Sequence, residues 1–311
     1  MILVTDASGL VGHALLHRLA AEKREARCIL QPSRREQRLP TGILFGTVSA
    51  SLSDLPALRT AMQDVTTVIH LSAEENPDQL RRLPRHAEDT ANLIAAAKEA
   101  GISRLIYLSR IGADRSSAYP LFRARGEAEA VVRQSGLDYT ILRSAITYGR
   151  NDRFTTVITM AAKSIPFFLP VPSTEMSHFQ PVWVADLITC VLDSIDRKDL
   201  FERTIPIGGP EHFTLEQMVV RILRAARVRR RLVTVGMPMM RRLVSFTEAI
   251  LPHSPVPSIW LDVLAVGSTT DLVTIPRHFD FQPGRFEDHL DYLRERRPWR
   301  RQFLRLILTG R

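Results

Sequence analysis

Short apolar runs alternate with longer stretches of helical period through the first half of the chain. Ile2–Thr5, Ala26–Leu30, Ile43–Phe45, Thr67–Leu71, Arg104–Leu108 and Tyr139–Leu142 are apolar enough to predict strands. Between them, Leu10–Ala21, Leu55–Met62, Ala87–Ala100 and Arg125–Gln134 repeat their apolar residues at helical spacing. Gly101 and Gly136 follow the last two of these segments, where helix stop signals belong. Strands that alternate with helices predict βαβ units and a mostly parallel sheet, and right-handed crossovers make a doubly wound sheet the economical topology. The expected fold is therefore α/β and Rossmann-like.

After Tyr148 the pattern loosens. Pro166, Pro170 and Pro172 interrupt one segment, Gly208-Gly209-Pro210 marks a turn, and Pro252–Pro257 marks a loop. The expected organisation is a dinucleotide-binding core over 1–150 and a mixed segment over 151–293. That segment would complete the core and form a smaller substrate-side lobe. A basic amphipathic tail over 294–311 would follow.

The stretch Thr5-Asp6-Ala7-Ser8-Gly9-Leu10-Val11-Gly12 joins the first predicted strand to the first predicted helix. A dinucleotide-binding fold places its phosphate loop there. Glycines let the backbone approach a pyrophosphate, and the helix N-terminus offers N–H donors and the positive end of its dipole. Further signatures run in order along the chain: Val68-Ile69-His70-Leu71-Ser72-Ala73, Asn92-Leu93-Ile94-Ala95-Ala96-Ala97, Leu105-Ile106-Tyr107-Leu108-Ser109, Gly126-Glu127-Ala128-Glu129, Leu137-Asp138-Tyr139-Thr140-Ile141-Leu142-Arg143, Phe179-Gln180-Pro181-Val182-Trp183-Val184-Ala185-Asp186 and Gly208-Gly209-Pro210-Glu211. With these motifs, Met1 to Leu293 resembles the extended and atypical short-chain dehydrogenase/reductase superfamily. The particular likeness is to its NAD(P)-binding branch that includes the 39-kDa-type accessory subunit of respiratory complex I.

The resemblance implies a dinucleotide held by Ser8, Gly9, Leu10, Val11 and Gly12, with Leu71, Ser72, Ala73, Ser109 and Arg143 further along the site. Asp6 stands where the family loop has its first glycine. Two readings stay open: a carboxylate that opposes the pyrophosphate by like charge, or a cap for the first helix. Ser33, Arg34 and Arg35 follow the second predicted strand with no acid before Glu36, which favours the 2′-phosphate of NADP(H) over the free ribose hydroxyl of NAD(H). Thr47, beside Val48, takes the place of the family's acidic residue near the adenine.

Short-chain dehydrogenases pair a Tyr with a Lys four residues on, so that the ammonium lowers the phenol pKa and a Ser orients the carbonyl. Anchored on Gly126-Glu127-Ala128-Glu129, these positions hold Leu121 and Arg125 here, which implies an inactive site. A register shifted by two offers Tyr119 and Arg123, with Ser109 as the serine. No spacing among the nine histidines resembles a metal site, and Cys28 and Cys190 read as buried small hydrophobes.

Charge changes the picture in one place. The 311 residues carry a net charge of +9 with only four lysines, so almost all of the positive charge is arginine. No aromatic-rich basic motif points to nucleic acid. Arg294–Arg311 holds seven arginines against Glu295, and Trp299, Phe303, Leu306 and Ile307 fall on one helical face. This suits a membrane surface or an acidic protein partner, or equally a helix packed on its own domain with solvated arginines. With no charged leader before Ile2, the expected compartment is the cytoplasm, peripheral to a membrane complex. The expected role is an NAD(P)(H)-binding, catalytically weak or silent accessory, assembly or scaffold subunit of a larger complex, one that holds NADP(H) in preference to NAD(H) or has partly lost its dinucleotide. The alternatives are an active NADP-dependent reductase or sugar-nucleotide epimerase or dehydratase, and an NADP(H)-sensing regulator.

Overall fold

The computed structural model describes residues 1–32, 39–71, 83–173 and 177–310. The chain opens with β1 (Ile2–Thr5), α1 (Leu10–Ala21), β2 (Ala26–Leu30), β3 (Gly46–Ser49), α2 (Leu55–Ala61), β4 (Thr67–His70), α3 (His86–Glu99), β5 (Arg104–Arg110), α4 (Pro120–Arg133) and β6 (Asp138–Ser144). It continues through β7 (Thr147–Tyr148), α5 (Thr155–Ser164), β8 (Phe168–Pro172), β9 (Val182–Trp183), α6 (Val184–Asp196) and β10 (Arg203–Ile207). The last elements are α7 (Leu215–Ala225), β11 (Arg231–Val235), α8 (Met237–Ile250), α9 (Ser258–Val266), α10 (Thr274–Phe279) and α11 (Trp299–Thr309).

These elements form two compact units. The first comprises Met1–Ser144, Val184–Ile207 and Val273–Phe281. Its seven strands are parallel, in the order β3-β2-β1-β4-β5-β6-β10. The α/β doubly wound fold is thus present. Helices cover both faces, which is why the central strands are apolar throughout: Leu3, Val4, Val68, Ile69 and Ile106 have no exposed surface. One face packs Leu58 of α2, Leu93 of α3 and Val132 of α4 against Leu3, Val68, Leu105 and Ile141. The order reverses between β1 and β4, so the strand ends there flank the crevice where doubly wound sheets bind ligands.

Three elements differ from the sequence expectation. The strand expected over Ile43–Phe45 lies at Gly46–Ser49, on the sheet's edge, where Thr47 and Ser49 face solvent and an apolar run is not required. The helix expected from Arg125 starts at Pro120, a residue suited to the first helical position because its missing N–H is unneeded there. The seventh strand contains Pro206, which argues against a central strand and is tolerated here because β10 is the opposite edge.

The second unit comprises Ala145–Trp183, Gly208–Leu272 and Gln282–Arg311. Two short parallel pairs, β7 with β9 and β8 with β11, are surrounded by helices. A buried carboxylate, Asp152, starts α5: it accepts from the Gly149 and Thr156 amides, the Thr155 hydroxyl and Tyr292 Oη. Burial still pushes its pKa up despite these four donors. Helix α7 opens with a capping box between Thr214 and Gln217. Helix α11 lies against α5. Trp299 and Leu306 are buried, and Phe303 and Ile307 half-buried, while Arg301, Leu304, Arg305 and Leu308 face solvent. The apolar face predicted for the tail is therefore packed on the tail's own unit.

Candidate functional site

The loop between β1 and α1 combines three devices. Asp6 adopts a left-handed conformation at φ 53°, which a glycine would take without cost and which Asp tolerates better than most residues. Its carboxylate is buried and accepts from Gln31 Nε2 at 2.9 Å, so it is tied back toward the end of β2. The helix cap is Gly9, whose carbonyl accepts the His13 amide and which has no side chain to cap α1. Asp6 is thus not the cap that one sequence reading allowed. Gly12 supplies the third device: a Cβ there would lie 2.4 Å from Ala7 Cα, so the first turn of α1 presses directly on the loop backbone. Ser8, Leu10 and Val11 complete the turn at partly exposed positions. A helix N-terminus behind a glycine-tight loop is a cradle for a pyrophosphate, and these residues fit one. Gln31 orients the Asp6 carboxylate toward the end of β2 but leaves its charge in place.

Farther along, Leu71 is buried just after β4, and Thr47 is exposed on β3 beside a half-buried Val48. Ser33, Arg34, Arg35, Ser72 and Ala73 lie outside the described residues.

The dehydrogenase positions are arranged on α4. Leu121 and Arg125 are 1% and 3% exposed, whereas Arg123, two residues away from each, faces solvent. Tyr119 is the half-exposed residue that precedes the helix, its ring edge-on to Phe122 at 6.3 Å. The inward register therefore holds Leu and Arg, and the register with Tyr lies outside it. Arg125 Nη1 donates to His86 Nε2 at 2.7 Å. Because a guanidinium can only donate, Nε2 is unprotonated and His86 is neutral. Tyr107 Oη shares that nitrogen at 2.8 Å.

His70 extends the network. Thr90 spends its proton on the His86 carbonyl, so its oxygen accepts from His70 Nε2 at 3.2 Å. His70 Nδ1 then accepts from Thr5 Oγ1 at 2.7 Å, on the neighbouring strand. The rings of His70, His86 and Tyr107 lie within 5.4–6.1 Å of one another, with His70 stacked on both of the others. Burial first, and the Arg125 charge second, press the His70 pKa down to about 3 and that of His86 well below its ordinary value. The histidines looked scattered in sequence because the sheet, through Thr5 beside His70 and His70 beside Tyr107, is what joins them.

Ser109 and Arg143 meet on a second buried group. Ser109 Oγ donates to Glu129 Oε1 at 2.6 Å, and Arg143 grips the same carboxylate through Nε at 2.8 Å and Nη2 at 2.6 Å. Arg133 adds a contact at 2.6 Å. Glu129 has no exposed side-chain surface, so two cations compensate its burial. It also holds the Arg143 guanidinium above its ordinary pKa. Sequence inspection passed over Glu129, whose signal is its position three residues after Gly126, on the face of α4 that meets the ends of β5 and β6. Among the described residues no cluster of His, Cys, Asp and Glu could hold a metal ion.

Residues 7–168 match the model of a family described as NAD(P)H-binding. A mitochondrial protein of Arabidopsis thaliana, "NADH dehydrogenase [ubiquinone] 1 alpha subcomplex subunit 9", is 25% identical over 82% of this chain, which spans 65% of that protein's length. A mycobacterial protein without assigned function is 27% identical over 81% of this chain, which spans 26% of it. "Photosystem II assembly factor Ycf39" of Guillardia theta is 25% identical over 70% of this chain and 68% of its own. Among solved structures, an NADPH-dependent quinone oxidoreductase from Escherichia coli superposes with a TM-score of 0.72 at 18% identity, covering 95% of this chain and all of that one. UDP-glucose 4-epimerase from Thermotoga maritima gives 0.73 at 18% identity over 97% and 99%.

Proposed function

Because the chain belongs to this NAD(P)H-binding family, we propose that it holds NADP(H) without turning it over and acts as an accessory or assembly subunit of a larger, membrane-associated complex. The observation that carries the silent reading is Leu121. It fills the buried position from which the family's tyrosine would move a proton, and it has no proton to move. The dinucleotide, when bound, supplies a hydride donor or acceptor. This chain's own residues bind its phosphates at the α1 N-terminus, hold Asp6 aside through Gln31 and keep Ser109 fixed on Glu129. The Arg125 side chain is occupied with His86, within a histidine network that is neutral and buried. Tyr119 and Arg123 stand outside the inward register. None of these groups is poised to deliver a proton to a carbonyl.

Two relatives are named for places beside large assemblies, one as a subunit of NADH dehydrogenase and one as a photosystem II assembly factor. This supports the accessory role. No helix among the described residues is long and apolar enough to cross a membrane, so attachment would be peripheral, through a protein partner or the basic exposed side of α11. NADP(H) rather than NAD(H) is favoured by Arg34 and Arg35. Equilibrium titration tests this: the Arg34→Ala/Arg35→Ala variant should bind NADPH at least tenfold more weakly while NADH affinity stays within twofold. Equal losses for both dinucleotides would overturn the NADP(H) assignment.

A further inference from the structure

The second unit contains a cavity of about 240 Å³, walled by α5, α7, α8, α9 and α11 and by β8. All of its lining residues belong to that unit. We propose that it binds the single hydrocarbon chain of an anionic amphiphile, a fatty acid or a lysophospholipid. The proposal goes beyond the dinucleotide reading and does not depend on it.

The lining decides the ligand class. Phe154 and Trp260 stack at 6.5 Å and 20°, and Val157, Met240, Val244 and Leu264 are among the aliphatic groups around them. The hydroxyls in the lining are spent within the protein: Thr247 Oγ1 donates to the Val244 carbonyl and Ser254 Oγ to that of Val256, both at 2.8 Å. A sugar or nucleotide would find almost nothing to hydrogen-bond, so its desolvated polar groups would be left unmatched. A hydrocarbon loses nothing there. At roughly 30 Å³ for each water-sized group, the volume takes about eight groups, a stretch of one chain and not two side by side.

The rim decides the head group. Helix α8 is apolar toward the cavity at Met240 and Val244 and apolar outward at Met239, Phe246 and Ile250, each more than 60% exposed. Leu243 belongs to both, since it lines the cavity and is 44% exposed. An apolar wall that continues onto the surface suits a ligand carrying a tail. Arg153 is the one charged residue in the lining, and one of its N–H groups donates to the Gly310 carbonyl at 3.0 Å. Arg301 and Arg305, on the exposed side of α11, make no ion pair among the described residues. The field around this unit's C-terminal segment is therefore positive and favours an anionic head.

The test uses full-length protein stripped of lipid and 12-carbon probes below their micelle concentrations. Terminally brominated dodecanoate should quench tryptophan fluorescence saturably at one site, and Trp260→Phe should remove most of the quenching. Octanoate should bind about tenfold more tightly than hexanoate, the gain expected for two more buried methylenes, and dodecanoate should gain less over decanoate because the cavity holds only about eight groups. Lauroyl lysophosphatidylglycerol, run in parallel, identifies which anionic head is preferred. Arg153→Gln should weaken dodecanoate at least fivefold and leave dodecanol within twofold. Val157→Phe and Val244→Phe, checked for folding by circular dichroism, should weaken the probes at least tenfold. The proposal is overturned by quenching that does not saturate, or by quenching unchanged in two folded cavity-filling variants. Either result would place the chain on the exposed face of α8.

Discussion

Asp6 shows how much one residue's meaning depends on a partner far away in sequence. Its substitution for a loop glycine was visible in the sequence, and so was the tolerance of Asp for a left-handed backbone. Its pairing with Gln31 was not, because only the adjacency of β1 and β2 brings the two together. Two substitutions separate the backbone role from the charge. Asp6→Ala should cost about 1–2 kcal/mol, since alanine pays for φ 53° and loses the Gln31 bond. Asp6→Gly should keep stability within about 1 kcal/mol of the parent, because glycine adopts that conformation freely. Urea unfolding of both variants measures the difference. Equal losses would mean that the conformation is not what Asp6 supplies. Leu121 was legible in the same way, as a departure from a spacing, whereas the engagement of Arg125 with His86 needed the fold.

At the scale of elements, five of the six N-terminal strands, β1, β2, β4, β5 and β6, and four helices were legible because buried parallel strands are apolar on both faces and their helices carry a clear stripe. The edges were not. Strands β3 and β10 have solvent on one side, so neither an apolar run nor the absence of proline marks them. The packing of α1 on the phosphate loop is a sharper prediction. Gly12→Ala places a methyl 2.4 Å from Ala7 Cα, where backbone and not a flexible side chain must yield. The variant should lose about 1–3 kcal/mol of stability and weaken NADPH binding at least tenfold. A variant with unchanged dinucleotide affinity by calorimetry would show that the loop geometry does not shape the site.

For the molecule as a whole, the sequence showed a basic tail but not which side of it would be free. The predicted apolar face proved to be the one that packs against α5, leaving arginines with Leu304 and Leu308 outside. The buried histidines set a global property. His70 and His86 are held neutral in the folded state and regain ordinary pKa values on unfolding. A pKa depressed in the folded state means that the unfolded chain binds more protons, so stability falls as pH drops below about 6.5. Each buried neutral histidine steepens this loss by at most about 1.4 kcal/mol per pH unit, once the pH is well below 6.5. Asp152, raised by burial, titrates in the opposite sense and trims the loss. Denaturant midpoints at pH 7.5 and pH 5 check this, and a flat profile would mean that the network is already charged or open to water.

The central claim is a dinucleotide bound without catalysis. It is tested most directly by mixing purified protein with NADPH and following binding by fluorescence and oxidation by absorbance, with quinones and carbonyl compounds added in turn. We predict saturable binding and no sustained loss of NADPH above the protein-free rate. Steady oxidation at ordinary enzymatic turnover with any of these acceptors would contradict the claim, and so would a failure to bind NADPH at all.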